Sequence, residues 1–302
     1  MRKLRRICGK EIRIDGRLIT MARLEAEKYH FVEDPEELVR GLRSCDRRVD
    51  VFTFIQQPPN TSPLYSYPME WDNLAVLPIT TFDDWWNKQI GFKARNKAKQ
   101  AEKKGVTIRE APFSDELVRG IWAIYNESPV RQGKRFSHFG ESFEKVHKEE
   151  ATFLESSVFL GAYLGERLIG FVKLVSDETG IQAGLMNIVS LIEQRDKSPT
   201  NALLAHAVRS CADRGIRYLV YSNFAYGKKA SDSLSDFKER NGFARMNLPR
   251  YYVPLTFRGE LYVRMGLHRR WVDYLPASLA ATLREYRNAW NNRRFRALTE
   301  SS

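Results

Sequence analysis

The stretch IQAGLMNIVSLIEQRDKSPTNALLAHAVRSCADRGIRYLVYSN, residues 181–223, changes its hydrophobic pattern twice. Residues 181–192 read as one long strand. Ser198-Pro199 then marks a helix start, because a serine can cap free N–H groups and proline suits the first helical position. Ala202, Leu203, Ala207, Val208 and Cys211 keep one apolar face, and Gly215 closes the helix. IRYLVYSN, residues 216–223, is a strand again. It must run parallel to the first strand, because a helical crossover separates the two.

Working outward, SLSDFKER (233–240) is a short helix stopped by Asn241-Gly242, and FARMNLPRYYVPL (243–255) returns as a strand. Upstream, VFLGAYL (158–164) and RLIGFVKLV (167–175) are strands joined at Gly165-Glu166, and a turn at Asp177 to Gly180 makes an antiparallel meander. Before them lie a strand, VTIREA (106–111), and a helix, DELVRGIWAIYNES (115–128). A loop, VRQGKRFSHFG (130–140), leads to a second helix, ESFEKVHKEEATFLE (141–155). The order from residue 106 is β, α, α, β, β, β, α, β, α, β. The first hundred residues read as a smaller α/β unit. It has an Asp15-Gly16 hairpin, a helix opened by Pro35 and Glu36, strands at VDVFTFIQ (49–56) and NLAVLPI (73–79), and Trp85-Trp86 leading into a basic helix.

Charge is unevenly spread. The 302 residues carry a formal net charge of +12. Residues 1–17 hold seven basic and two acidic side chains, residues 93–104 six and one, and residues 251–302 nine arginines against four acids. The rest of the chain is slightly acidic. Such a field suits a polyanionic partner: RNA, a phosphorylated co-substrate or an anionic membrane surface; a solvated face that keeps the protein soluble is the alternative. On a helix, Lys93, Lys97 and Lys104 form one stripe and Arg95, Lys99 and Lys103 another, with Ala94, Ala98 and Ala101 between them. That narrow alanine face can lie flat on the protein while both basic stripes stay exposed. Three scattered cysteines exclude a disulfide framework and a CxxC zinc site. No signal peptide or membrane span is evident, so the expected location is cytoplasmic, with peripheral contact at the inner face of the membrane as an option.

The order of elements resembles the GNAT acyltransferase fold, and within it the FemAB-type branch. The likeness rests on Arg95-Asn-x-Ala-x-x-Ala-x-Lys-Lys-Gly105, Ser198-Pro-x-x-Ala-Leu-Leu204 and Phe237-Lys-x-x-x-Gly-Phe243. It implies an α/β (α+β) fold: a GNAT-like mixed sheet with flanking helices over 106–255. A smaller unit, 1–105, would precede it, readable as a reduced second GNAT copy, and an Arg-rich helical extension, 256–302, would follow. FemAB-type enzymes pass an amino acid from aminoacyl-tRNA to the amine of a peptidoglycan precursor. The resemblance therefore implies transfer of an activated acyl or aminoacyl group to an amine. No cofactor would be permanently bound; the donor, aminoacyl-tRNA or acyl-CoA, is a co-substrate.

Acetyl-CoA-using members have a Gln/Arg-x-x-Gly-x-Gly/Ala loop at the start of the crossover helix. Here the segment is Gln194-Arg195-Asp196-Lys197-Ser198-Pro199, without glycine, so side chains of Arg195 and Lys197 would hold an anion instead. That departure, with the basic helix, favours a donor larger than acetyl-CoA. Lys238 matches the Phe-Lys of FemAB-type enzymes, where the lysine lies near the donor's terminal phosphate or ester; otherwise it is an exposed helix lysine. Asn223 ends the parallel strand, and Tyr226, Lys228 and Lys229 follow it around Gly227, with Tyr226 a candidate to protonate the leaving group. Glu193 stands where several GNAT enzymes keep a carboxylate base, or it pairs with Arg195. Arg131, Lys134, Arg135 and His138 lie on the loop expected to cover an anionic acceptor. A histidine there can relay a proton near neutrality or make a plain polar contact. The histidines show no metal-ligand spacing, and no metal is expected. Ala280, Leu283, Tyr286 and Trp290, with arginines around them, form an amphipathic stripe that packs on its own domain or on a membrane. The alternative to an enzyme is a non-catalytic RNA-binding or membrane-surface protein on the same fold.

Overall fold

A computed structural model describes residues 3–27, 30–225 and 233–269. Tyr226, Lys228, Lys229 and the amphipathic stripe at 280–290 lie outside the described residues.

The N-terminal unit opens with three strands, β1 (Lys3–Ile7), β2 (Lys10–Asp15) and β3 (Met21–Leu24). The Asp15-Gly16 turn joins β2 and β3 as expected, but the basic opening segment is itself a strand, turned back at Cys8 and Gly9, both at positive φ. Leu4, Arg5 and Arg6 are exposed and Ile7 is only half-buried, so this edge strand carries no buried alternation, which is why its composition hid it. Helix α1 (Pro35–Ser44) is capped by Asp34, whose carboxylate accepts from the Glu37 amide at 3.0 Å. Strands β4 (Val51–Ile55) and β5 (Met69–Pro78) follow. A short helix, α2 (Phe82–Asp84), runs through a π-helical turn at Trp85–Gln89 into the basic helix α3 (Phe92–Lys103).

The second half keeps the expected order. It comprises β6 (Val106–Glu110), α4 (Asp115–Tyr125), a small hairpin of β7 (Val130–Arg131) and β8 (Lys134–Arg135), α5 (Phe143–Glu150), β9 (Ser157–Leu164), β10 (Arg167–Ser176) and β11 (Gln182–Ser190). Then come α6 (Pro199–Asp213), β12 (Tyr218–Val220), α7 (Ser233–Arg240), β13 (Ala244–Pro254) and α8 (Phe257–Arg264). Two local readings are corrected. The loop after α4 holds a hairpin, and α5 stops at Glu150, because Phe153 adopts a left-handed backbone (φ 57°) that a helix cannot continue through.

One eleven-stranded sheet runs through the whole described chain, in the order β1-β2-β3-β4-β13-β5-β12-β11-β10-β9-β6. Residues 1–105 and 106–255 are therefore not separated in space by their sequence boundary. Strand β5, from the first segment, lies antiparallel between β12 and β13 of the second. The sheet also curls. Lys10, at the start of β2, reaches Glu178 in the β10–β11 turn at 2.6 Å, although six strands lie between β2 and β10 in the sheet. On one face α3 packs on α6 through Ala94, Ala98 and Ala101, which are 4%, 4% and 0% exposed. From α3 only the alanine methyls are buried, and Lys93, Lys97, Lys99, Lys103 and Lys104 are exposed, Lys104 donating to the Asp196 carbonyl at 2.7 Å.

Candidate active cleft between two splayed strands

Strands β11 and β12 are parallel, as the crossover requires, but pair over only three residues, Gln182 to Gly184 with Tyr218 to Val220. Beyond that point β12 follows β5 instead: the Tyr221 amide donates to the Ala75 carbonyl, and the Ala75 amide to the Ser222 carbonyl, both at 2.8 Å. β11 stays with β10 as far as Ser190. The two strands part, and among the described residues no strand pairs with the edge of β11 from Leu185 to Ser190 on that side.

The opening is a cleft of about 370 Å³. Ile188, Val189 and Ser190 form one wall, Tyr221 and Phe237 the other, and the start of α6, from Ser198 to Asn201, closes one end. Arg131, Gln132 and Phe136 arrive from the β7–β8 hairpin, Arg195 from the turn before α6, and Lys97 from the basic helix. The cleft is thus apolar along its walls and cationic at its mouth. A helix N-terminus adds a partial positive charge. Ser198 departs from the expected capping role: it has φ 56°, and its hydroxyl makes no cap bond. The neighbouring Thr200 hydroxyl is instead shared with the Ser190 hydroxyl at 2.9 Å.

The candidate residues separate into groups. Arg131 lines the cleft as a fixed strut: its guanidinium donates to the carbonyls of Ser190 and Ile124, both at 2.6 Å, and to the Glu127 carboxylate at 3.1 Å. Glu127 in turn accepts from the amides of Ile192 and Glu193 at 2.7 and 3.0 Å. Sequence reasoning passed over Glu127, because a single carboxylate at a helix end carries no signature of its partner. Arg195 is exposed at the cleft mouth. Gln194, Lys197, Lys134 and Arg135 are not among the lining residues. Glu193 ion-pairs with Arg167 at 2.7 Å rather than with Arg195, and it is half exposed. His138 stacks on the Tyr125 ring (centroids 4.5 Å apart) and bonds Glu141 through Nδ1 at 3.0 Å, away from the cleft lining.

Lys238 is not a solvent-facing lysine: its side chain is 0% exposed. Its Nζ donates to the Asn223 carbonyl and lies 4.6 Å from the ring of Tyr221, the aromatic that walls the cleft. Asn223 is itself fixed, its amide donating to Asp72 Oδ1 at 2.9 Å and to the Asn73 carbonyl at 3.0 Å. Buried Lys238 and half-buried Asn223 thus form one hydrogen-bonded unit behind the cleft wall.

Behind α4 and α5 lies a buried polar cluster that the sequence did not announce. Glu150 Oε1 accepts from the Tyr125 hydroxyl at 2.9 Å and the Asn187 amide at 3.0 Å, while Glu150 Oε2 is buried without a partner. Lys173 Nζ donates to the carbonyls of Glu150 and Thr152, both at 2.7 Å. Burial raises the Glu150 carboxyl, partly offset by the Lys173 ammonium, and lowers Lys173 to about 8. One group among the described residues, His138, Glu141 and Glu149, has the donor types of a metal site. The Lys145 ammonium faces both of its carboxylates, at 2.5 and 3.9 Å.

A parallel β-α-β crossover whose strands splay after three paired residues, with the crossover helix starting at the opening, defines the GNAT fold. Solved structures share it across most of the chain. The C-terminal domain (DUF2156) assigned to a lysylphosphatidylglycerol synthetase of Agrobacterium fabrum is 13% identical, with 87% of each chain covered and a TM-score of 0.57. FemX is 12% identical, covering 87% of this chain and 90% of its own, at 0.56. L-PGS from Bacillus licheniformis is also 12% identical, with 89% and 90% covered, at 0.56. No protein-family model and no curated protein matches the sequence.

Proposed function

We propose that the protein is a GNAT-fold N-acyltransferase of FemAB-like type, moving an activated acyl or aminoacyl group onto an amine acceptor. The observation that carries this reading is the opened β11–β12 cleft with two exposed cationic side chains, Lys97 and Arg195, among its lining residues. In the reaction the amine nitrogen attacks the acyl carbonyl and a C–N bond forms. The resulting oxyanion collapses as the C–O or C–S bond to the leaving group breaks. The amine's proton leaves it, and the departing ribose hydroxyl or thiol takes one up. Positioning does most of the work: bringing the two reactants together in the right geometry is worth roughly 7–11 kcal/mol. In this reading the unpaired edge of β11 offers backbone donors to the oxyanion. Arg195 and Lys97 hold the donor's phosphates. Lys238 and Asn223 position the Tyr221 wall, and the β7–β8 hairpin with Lys134 and Arg135 meets the acceptor. Tyr226, Lys228 and Lys229 remain candidates for the leaving-group side. No resident cofactor is required, since the donor is a co-substrate.

The basic helix beside the cleft favours a long polyanionic donor, aminoacyl-tRNA, over acyl-CoA. FemX and the lysylphosphatidylglycerol synthetases support this reading through the fold they share with the chain. The same helix keeps a second reading in view, a non-catalytic RNA-binding protein on this fold. Calorimetric titration of the full chain with acetyl-CoA, and separately with charged tRNA, tests both. Saturable tRNA binding weakened by Arg195→Ala and Lys97→Ala, with the aminoacyl group passing to an added amine, is the expected result. Binding without transfer to any amine would favour the RNA-binding reading, and tight acetyl-CoA binding would favour an acetyltransferase.

A further inference from the structure

Helix α8 is seated on the sheet by one face only. Gly259 and Val263 are buried, and a Cβ on Gly259 would fall 1.9 Å from the Asp50 carbonyl oxygen, so no gap exists beneath it. The Thr256 hydroxyl fixes its start, donating to Asp50 Oδ1 at 2.7 Å and accepting from the Gly259 amide at 3.1 Å. The opposite face carries Phe257, Leu261 and Met265 at four-residue spacing, 80%, 50% and 59% exposed. Arg258 donates to the Leu18 carbonyl at 2.7 Å, which brings the β2–β3 turn alongside with Leu18 at 82% exposed. Leu267, 54% exposed, extends the patch at the far end of the helix.

Five large apolar side chains exposed in one region are unlike scattered surface leucines and mark an interaction site. What surrounds them indicates the partner. Arg17, Arg258, Arg264 and Arg269 are all exposed around the patch. Glu260 pairs with Arg264 at 2.9 Å, Glu70 with Arg269 at 2.6 Å, and Asp15, beside the Leu18 turn, with Arg13 at 3.0 Å and Arg23 at 3.5 Å, so the charge in excess here is that of Arg17 and Arg258. The sequence beyond, to residue 302, adds six further arginines against three acids, and no lysine. We propose that this face is a peripheral membrane-docking surface for a bilayer rich in anionic lipid, inserting Leu18, Phe257, Leu261 and Met265 at the headgroup boundary while the arginines meet lipid phosphates. An apolar tip ringed by basic side chains is what such an interface requires. The surface is separate from the β11–β12 cleft, so the inference stands apart from the transfer reaction.

The test is co-sedimentation of the full chain with vesicles of phosphatidylcholine containing about a quarter phosphatidylglycerol, and with phosphatidylcholine alone, at about 150 mM salt. Binding to the anionic vesicles only is expected. Phe257→Ser with Leu261→Ser should lower the partition at least roughly tenfold, because each apolar side chain withdrawn from water is worth about that factor. Leu18→Ser, on a different element, should lower it independently, which guards against a helix that merely unfolds. Absence of binding to either vesicle, or equal binding by the serine variants, overturns the proposal. So does a dimer of the wild type, seen by light scattering, that the double variant dissociates while neither sediments with vesicles.

Discussion

Arg131 holds the carbonyl of Ser190 at 2.6 Å, tying the hairpin loop after α4 to the last residue of the strand that opens the cleft. Arg131 and Glu127 are both mostly buried, so neither charge can be satisfied by water if the other is removed. Arg131→Met is expected to cost about 2–4 kcal/mol in urea denaturation, most of it from the abandoned Glu127. Arg131→Lys should recover only part of this, because a single ammonium cannot reach two carbonyls and a carboxylate in the same geometry.

Lys238 joins α7 to the end of β12 through the Asn223 carbonyl. Lys238→Met keeps most of the volume but removes the donor. An expected stability loss of about 1–3 kcal/mol follows from leaving that carbonyl unsatisfied. Donor affinity should fall about tenfold as the Tyr221 wall relaxes, an effect equivalent to ~1.4 kcal/mol. Calorimetry on the folded variant separates the two effects. Unchanged affinity would remove Lys238 from the positioning role.

Stability should rise on the alkaline side. Burial lowers Lys173 to about 8 from 10.5, so between those values the unfolded chain binds the proton that the folded chain has lost. Stability therefore increases with pH across that window, and the burial penalty, about 3 kcal/mol, is fully present below it. Urea midpoints measured at pH about 7.5 and about 9.5 should shift upward for the wild type. Lys173→Met should lack that rise, and an identical pH response in both proteins would refute the assignment.

The alanine seam makes α3 sensitive to single methyl groups. Ala101→Leu, at a site with 0% exposure against α6, is expected to destabilise by about 1–3 kcal/mol through overpacking, read as a lower melting temperature. Lys97→Ala, exposed at the cleft mouth, should leave the melting temperature alone. If the donor is a nucleic acid, it should reduce the salt dependence of binding by about one phosphate's worth.

Much of this architecture was legible from periodicity. Residues 181–223 give the parallel crossover because Ser198-Pro199 and Gly215 bracket a helix between two apolar runs, and the alanines of α3 give its buried face directly. The strand Lys3–Ile7 was hidden because four of the first six residues are basic. Of the cleft's side chains, Arg131, Arg195 and Ser198 were named from sequence as site candidates, Lys97 as part of a basic stripe and Phe237 as part of a motif, but Tyr221 and Ser190 were not. Their place depends on where two strands separate, and that is decided by β5, more than a hundred residues away in sequence. The Glu150–Lys173 cluster escaped for a related reason. A lysine inside the strand RLIGFVKLVS reads as the polar member of an alternation, and only the packing of α5 over it shows that it points inward.

The position of β5 also sets the order in which the molecule can be made. Residues 69–78 leave the ribosome long before either of their neighbours, β12 and β13, exists. Until residues 218–254 emerge, both edges of β5 carry backbone N–H and C=O groups with no strand to pair against, and such edges invite the wrong partner. The long separation between paired segments belongs to a slow-folding topology. A fragment beginning at residue 106 would lack the strand that draws β12 away from β11. Its cleft would have no reason to open, so the chain's earliest third is what shapes its last.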